Sequence, residues 1–191
     1  MASKALPALL AAALLLGSAP VFAGPADDAL FGKSAGDGRV FACFIRHYDK
    51  PHLSSHPQQN VTDMLLLVDR AALADEGSDW YALSLGVNFR KVDTQFQVAG
   101  GCGAGDGKTL LNCGIDCDGG QIDVRLRDEK SILVDIPYGA RTWDPGSDAD
   151  PPAEAAFGED DKLFRLDRTE LSQCLDLVYD DDVKAQLSAS R

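Results

Sequence analysis

The feature that most narrows the fold of this chain is a strict period-two alternation in its middle. From Trp80 to Arg90, the residues Tyr81, Leu83, Leu85, Val87 and Phe89 fall on one face, and Ala82, Ser84, Gly86 and Asn88 on the other. Val92, Thr94, Phe96 and Val98 then alternate with Asp93, Gln95 and Gln97. A helix would scatter these apolar residues around its axis, whereas a strand gathers them on one side of a sheet. The connection from Asn88 to Lys91 is too short for a parallel crossover, so the two strands are antiparallel neighbours.

The pattern recurs along the chain. Ile122, Val124 and Leu126 alternate with Asp123, Arg125 and Arg127, and Arg127-Asp128-Glu129-Lys130 turns the chain into a further strand at Ser131 to Ile136. Val40 to Tyr48 and Val61 to Val68 have strand composition, and Met64-Leu65-Leu66-Leu67, apolar on both faces, reads as a central strand. Asp161 to Asp167 reads as a late strand. A helix is expected from Thr169, with Thr169 as cap and Leu171, Cys174, Leu175 and Val178 at helical spacing. The expected class is all-β and mainly antiparallel: a barrel or sandwich of about eight strands with a short C-terminal helix, lipocalin-like in outline. Asp144 to Asp161, with seven acids and no base among its prolines and glycines, is expected as a loop, and residues 180–191 as a flexible tail.

The N-terminus carries an address. Lys4 supplies a positive start, Leu6 to Leu16 an apolar stretch, and Val21-Phe22-Ala23 a small-residue cleavage site, the pattern of a secretory signal peptide over residues 1–23. The apolar stretch is shorter than the ~20 residues that span a bilayer. One domain over residues 24–179 is expected, in the periplasm or outside the cell, with no membrane insertion. No cysteine follows the cleavage site, so no lipid anchor is expected there. The whole chain has 18 basic and 30 acidic residues, and removal of residues 1–23 takes away only Lys4, leaving a net charge of −13. Such a field repels nucleic acid and anionic lipid and favours basic partners.

Five cysteines in an exported chain read as disulfides with one thiol left over. The expected pairs are Cys102 with Cys117, at the ends of neighbouring strands, and Cys43 with Cys174, tying an early strand to the C-terminal helix. Three of the cysteines, Cys102, Cys113 and Cys117, lack the paired spacing of zinc folds.

All three histidines lie within ten residues, as His47-Tyr48-Asp49-Lys50-Pro51-His52-Leu53-Ser54-Ser55-His56. Imidazole is the commonest metal ligand, and if Pro51 opens a helical turn, His52 and His56 sit four apart on one face. His47, Asp49, His52 and His56 are thus candidate ligands for a divalent transition metal, with Asp63 a further oxygen donor. The opposing reading is a polar turn with surface histidines, needing no cofactor.

Other motifs fail on their own terms. Cys102 to Thr109 ends like a phosphate-binding P-loop, but Cys102 stands at its first glycine and Asn112-Cys113-Gly114 breaks the required helix. Asp116, Asp118, Gly119 and Gly120 start like a calcium loop, yet position twelve is Arg127, and the alternative acids Asp144, Asp148 and Asp150 read as a solvated turn. Asn60-Val61-Thr62 is a formal glycosylation acceptor. There is no His-Glu-x-x-His or Cys-x-x-Cys, which argues against an enzyme.

Tyr48-Asp49, His52-Leu53, His56-Pro57, Gln59 and Val61-Thr62, with Cys113 and Cys117-Asp118-Gly119-Gly120, resemble a group of small exported proteobacterial proteins with no assigned function. The likeness covers the middle half of the chain. It implies a periplasmic address and a β-rich fold and brings no catalytic residues. The resulting expectation is a non-catalytic periplasmic module that binds a small ligand or an envelope protein. The alternative is a metal-binding protein or metal-dependent hydrolase built on the histidines.

Overall fold

A computed structural model describes residues 25–32, 38–72 and 79–190. The leader expected over residues 1–23 lies outside the described residues. Eight antiparallel strands close into a barrel in which each strand pairs with its sequence neighbours and β8 returns to β1. They are β1 (Val40–His47), β2 (Val61–Ala72), β3 (Asp79–Phe89), β4 (Val92–Ala104), β5 (Thr109–Ile115), β6 (Gln121–Asp128), β7 (Ser131–Asp135) and β8 (Leu163–Thr169). Closure gives every strand a neighbour on both sides, so no strand of the barrel is an edge strand.

The alternation sorts the barrel into inside and outside. Tyr81, Leu83, Leu85, Val87 and Phe89 of β3 point inward and are all buried, as are Phe44, Leu66, Phe96, Leu111, Ile122, Ile132 and Phe164 from the other strands. These residues fill the lumen. Their side chains form one continuous core cluster inside the barrel, the packing that eight strands just allow.

β2 is apolar on both faces because its outer face is covered as well. A 3-10 helix, Leu171–Leu177, lies against the outside of β1 and β2, where Phe41, Cys43 and Leu67 pack with Cys174, Leu177 and Val178. The α-helix expected from Thr169 is therefore replaced: Thr169 ends β8 and the next turn is 3-10. An α-helix does follow, α3 (Asp181–Ala189), over the residues expected as a flexible tail. The Asp180 carboxylate accepts from the Asp182 and Val183 N–H groups, Asp181 and Asp182 suit the positive end of the helix dipole, and Leu187 is buried.

Two disulfides are present, which indicates an oxidising compartment. Cys43–Cys174 pins the 3-10 helix to the outside of β1 across 131 positions of sequence. The second bridge corrects the expected Cys102–Cys117 pair: Cys102 is bonded to Cys113, and Cys117 is a free, exposed thiol. The reason is register. The P-loop lookalike from Cys102 to Thr109 lies in the β4–β5 hairpin, which sets Cys102 directly opposite Cys113, with both side chains inside the barrel.

The two ends of the barrel are closed differently. At one end a short helix, α1 (Pro25–Phe31), inserts Ala26, Asp27 and Leu30. Asp27 is fully buried, accepts a hydrogen bond from the Tyr81 hydroxyl at 2.9 Å, and lies 3.6 Å from the buried Arg70 guanidinium. Arg168 donates to the Leu30 and Ala29 carbonyls at the end of α1, while its guanidinium lies over the Phe44 ring. At the other end sit a second short helix, α2 (Lys50–Ser55), and the long β7–β8 connection, residues 136–162.

Candidate functional site: the loop end of the barrel

The histidine segment does fold as a helical turn opened near Pro51, but its polar groups are spent on structure. Asp49 is the N-cap and accepts from the His52 N–H at 2.8 Å. The His52 ring stacks on Tyr48 on one side and on His56 on the other, with centroids 4.6 and 4.2 Å apart. Gln59 gives its NH2 to the Val61 carbonyl, so its oxygen faces His52 and His52 Nε2 carries the proton between them. His56 Nδ1 donates to the His52 carbonyl, and His47 Nδ1 is hydrogen-bonded to Asp63, away from the stack. Arg90 closes the helix by donating to the Leu53 and His56 carbonyls. The proposed quartet His47, Asp49, His52 and His56 does not converge, and among the described residues no group of three His, Cys, Asp or Glu side chains is placed to hold a metal. The segment is an aromatic stack that covers the barrel end.

The β7–β8 connection covers the rest of that end. A run of this length without regular structure is uncommon in a compact domain, and an ordered one is usually functional. It is held by partners far away in sequence. Asp161, completely buried, accepts from the Asn60, Val61 and Gly158 N–H groups, and Asn60 donates its side-chain NH2 to the Glu154 and Ala156 carbonyls at 2.7 and 2.8 Å. The formal glycosylation acceptor is thus committed to holding the loop. Burial pushes the Asp161 carboxyl above its ordinary pKa, and the three N–H donors together with Arg90 oppose that shift. Gly158 has no substitute, since a Cβ there would lie 2.1 Å from the Gln58 carbonyl oxygen.

Elsewhere the connection forms bridges with the strand ends, Trp143 pairing with Gln97 and Ala140 with Gly120. Phe157 reaches inward and packs edge-on against Phe89, with centroids 5.7 Å apart. The loop is a built surface, not a solvated linker.

That surface carries an exposed aromatic. Pro137 and Tyr138 occupy the corner of a turn closed by the Gly139 N–H to the Ile136 carbonyl, and Gly139 follows with φ of 78°. Tyr138 stands 89% exposed at its tip. Beside it runs an open groove of about 690 Å³ between the β5–β6 turn and the prolines of the connection, bordered by Asp118, Tyr138, Arg141, Pro151, Pro152 and Phe157. In the β5–β6 turn both Cys117 and Asp118 hold left-handed φ values, 58° and 56°, the mirror-image hairpin geometry that normally selects Asn or Gly. Around the next corner, Trp143 and Tyr179 flank a second hollow of about 450 Å³ together with Asp144 and Asp148. Sequence reading missed Tyr138, whose Pro-Tyr-Gly context was the available signal for a displayed turn.

Comparison of the chain with protein-family models, with curated proteins and with solved structures returned no match. No described helix is long and apolar enough to cross a membrane.

Proposed function

We propose that this protein is an exported, non-catalytic binding module that works in the periplasm or outside the cell and engages an envelope or secreted protein through the loop end of its barrel. The observation that carries this reading is the contrast between a lumen filled with side chains and an ordered β7–β8 connection that displays Tyr138 beside a groove. A module built to hold a small apolar ligand leaves room for it inside the barrel, as larger or emptier barrels do. Rigid scaffolds that recognise proteins concentrate recognition on loops, with aromatic anchors at the centre. The leader pattern of residues 1–23 and the two disulfides support the exported address.

The test is a photo-crosslinking residue placed at Tyr138 and, as a control, at Glu129 in the β6–β7 hairpin of the opposite end, with the protein expressed in its own cells. A discrete protein adduct at Tyr138 and none at Glu129 is expected. Equal adducts at both positions, or none at Tyr138, would overturn the reading, as would turnover of any substrate by the purified mature chain.

A further inference from the structure

We infer that the hollow between Trp143 and Tyr179 is a binding site for a free methylated ammonium ion, with the two aromatic side chains as its walls and the Asp144 and Asp148 carboxylates as its opposite charge. The site is separate from the Tyr138 groove and stands independently of the protein-binding reading proposed above.

The walls come from two segments that only the fold brings together. Trp143 belongs to the β7–β8 connection and Tyr179 to the link between the 3-10 helix and α3, yet both are exposed and line one hollow of about 450 Å³. Exposed apolar residues scattered singly need no explanation, whereas two aromatics from different segments around one concavity are what a small-ligand site is built from. Gln97, buried on β4, holds both walls. Its backbone exchanges hydrogen bonds with that of Trp143, at 2.9 Å in each direction. Its side-chain amide donates to the Asp176 carbonyl at 3.3 Å and also hydrogen-bonds the Tyr179 hydroxyl. Both walls are anchored before anything binds, so a ligand orders little on arrival.

Charge selects the occupant. The rest of the lining is Asp144, Asp148 and the short turn between them, and no Lys, Arg or His borders the hollow among the described residues. Lys184 faces Asp176 at 3.9 Å, outside the lining. The Tyr179 phenol is pushed above its ordinary pKa by partial burial first, opposed by the Gln97 hydrogen bond, and then further by Asp144 and Asp176. The negative field therefore reaches the aromatic wall itself. A metal ion fits poorly. Calcium takes about six to eight oxygens, and no group of three His, Cys, Asp or Glu side chains among the described residues is placed to hold a metal. A methylated ammonium fits better, because it keeps a full positive charge without the tight hydration of a bare ammonium and is attracted by ring faces and carboxylates alike.

The experiment follows the two indole N–H resonances of isotope-labelled residues 24–191, one for each tryptophan of the chain, as tetramethylammonium or choline is added at constant chloride. The Trp143 signal is expected to move and saturate while the Trp80 signal stays. The uncharged analogue of choline, with carbon in place of the ammonium nitrogen, should bind about tenfold more weakly or worse. Tyr179→Ala and the double variant Asp144→Asn with Asp148→Asn, each checked by its spectrum to be folded like wild type, should both weaken choline about fivefold or more. Phosphocholine should bind more weakly than choline, since its phosphate meets the same acids. The opposite order overturns the assignment to a free ammonium in favour of a phosphorylated headgroup. No saturating shift at Trp143, equal shifts at both tryptophans, an uncharged analogue that binds as tightly, or variants that bind choline as wild type does would each overturn the site. So would calcium or zinc giving the same saturating shift, because the hollow is then a metal site.

Discussion

The Tyr81 hydroxyl donates to the Asp27 carboxylate at 2.9 Å, joining α1 to β3 across 54 positions of sequence inside the mouth of the barrel. Arg70 is the cation facing the same carboxylate. Burying an acid at the end of a barrel is costly unless its charge and hydrogen bonds are answered, and here one helix supplies the acid while two strands supply the answer. Asp27→Ala leaves Arg70 buried without this anion and is expected to lose about 3–5 kcal/mol, whereas Tyr81→Phe should lose about 1–3 kcal/mol. Urea unfolding of residues 24–191 measures both. A loss below about 1 kcal/mol for Asp27→Ala would mean that α1 is not part of the cooperative unit.

The two disulfides should differ in weight. By loop-closure entropy, the bridge spanning 131 positions restrains the unfolded chain by about 5 kcal/mol and the one spanning 11 by about 3 kcal/mol. The double alanine variant at Cys43 and Cys174 is therefore expected to unfold at lower denaturant than the double variant at Cys102 and Cys113. In non-reducing titration with a thiol reagent, one thiol should react, and peptide mapping should place it at Cys117. Modification at Cys113 with Cys117 protected would restore the pairing expected from spacing.

Stability should rise as pH falls from neutrality toward the carboxylate range. Asp161 and Asp69 both have folded pKa values above the ordinary 3.8, burial being the larger cause in each, with Arg39 partly opposing it at Asp69. A carboxyl whose folded pKa is raised binds its proton more tightly in the folded state. The stability this contributes is complete below the unfolded pKa near 3.8 and is lost as pH rises through the folded value. Thermal unfolding between pH 4 and 7 is expected to show the midpoint falling with rising pH, and Asp69→Asn should flatten that slope. A slope unchanged in the variant would take Asp69 out of the effect and leave it to Asp161 and the net charge of the whole chain.

Metal should not matter to the histidine segment. His52→Ala removes a ring stacked between Tyr48 and His56 and its bond to Gln59, an expected loss of about 1–2 kcal/mol. Added zinc or nickel is expected to leave the wild-type midpoint where it was. A metal-induced rise that disappears in His52→Ala would reinstate the ligand reading.

What could be read from the chain followed from local periodicity. The inward set Tyr81, Leu83, Leu85, Val87 and Phe89 is visible because a barrel wall has one dry face and one wet one, and period two separates them. The helical turn at Pro51 was readable from Pro51 and the spacing of His52 and His56. β5 was not, although Leu111, Cys113 and Ile115 alternate correctly, because Asn112 and Gly114 on the outer face and the glycines before them imitate a loop. α3 was hidden by Asp180-Asp181-Asp182, three acids that look solvated until one of them caps a helix whose Leu187 meets the outer cluster.

Antiparallel strands enough for a β fold are written in the chain's own pattern, because alternation is a property of neighbouring residues. Tertiary structure alone decided that the strands close into a barrel, that Cys102 meets Cys113, that Asp27 finds Tyr81 and Arg70, and that Asn60 and Asp161 hold the acidic connection still around Tyr138. Each of these depends on the register between segments distant in sequence. Register is set by how all eight strands bury their inward faces at once, a condition that no single stretch of residues contains.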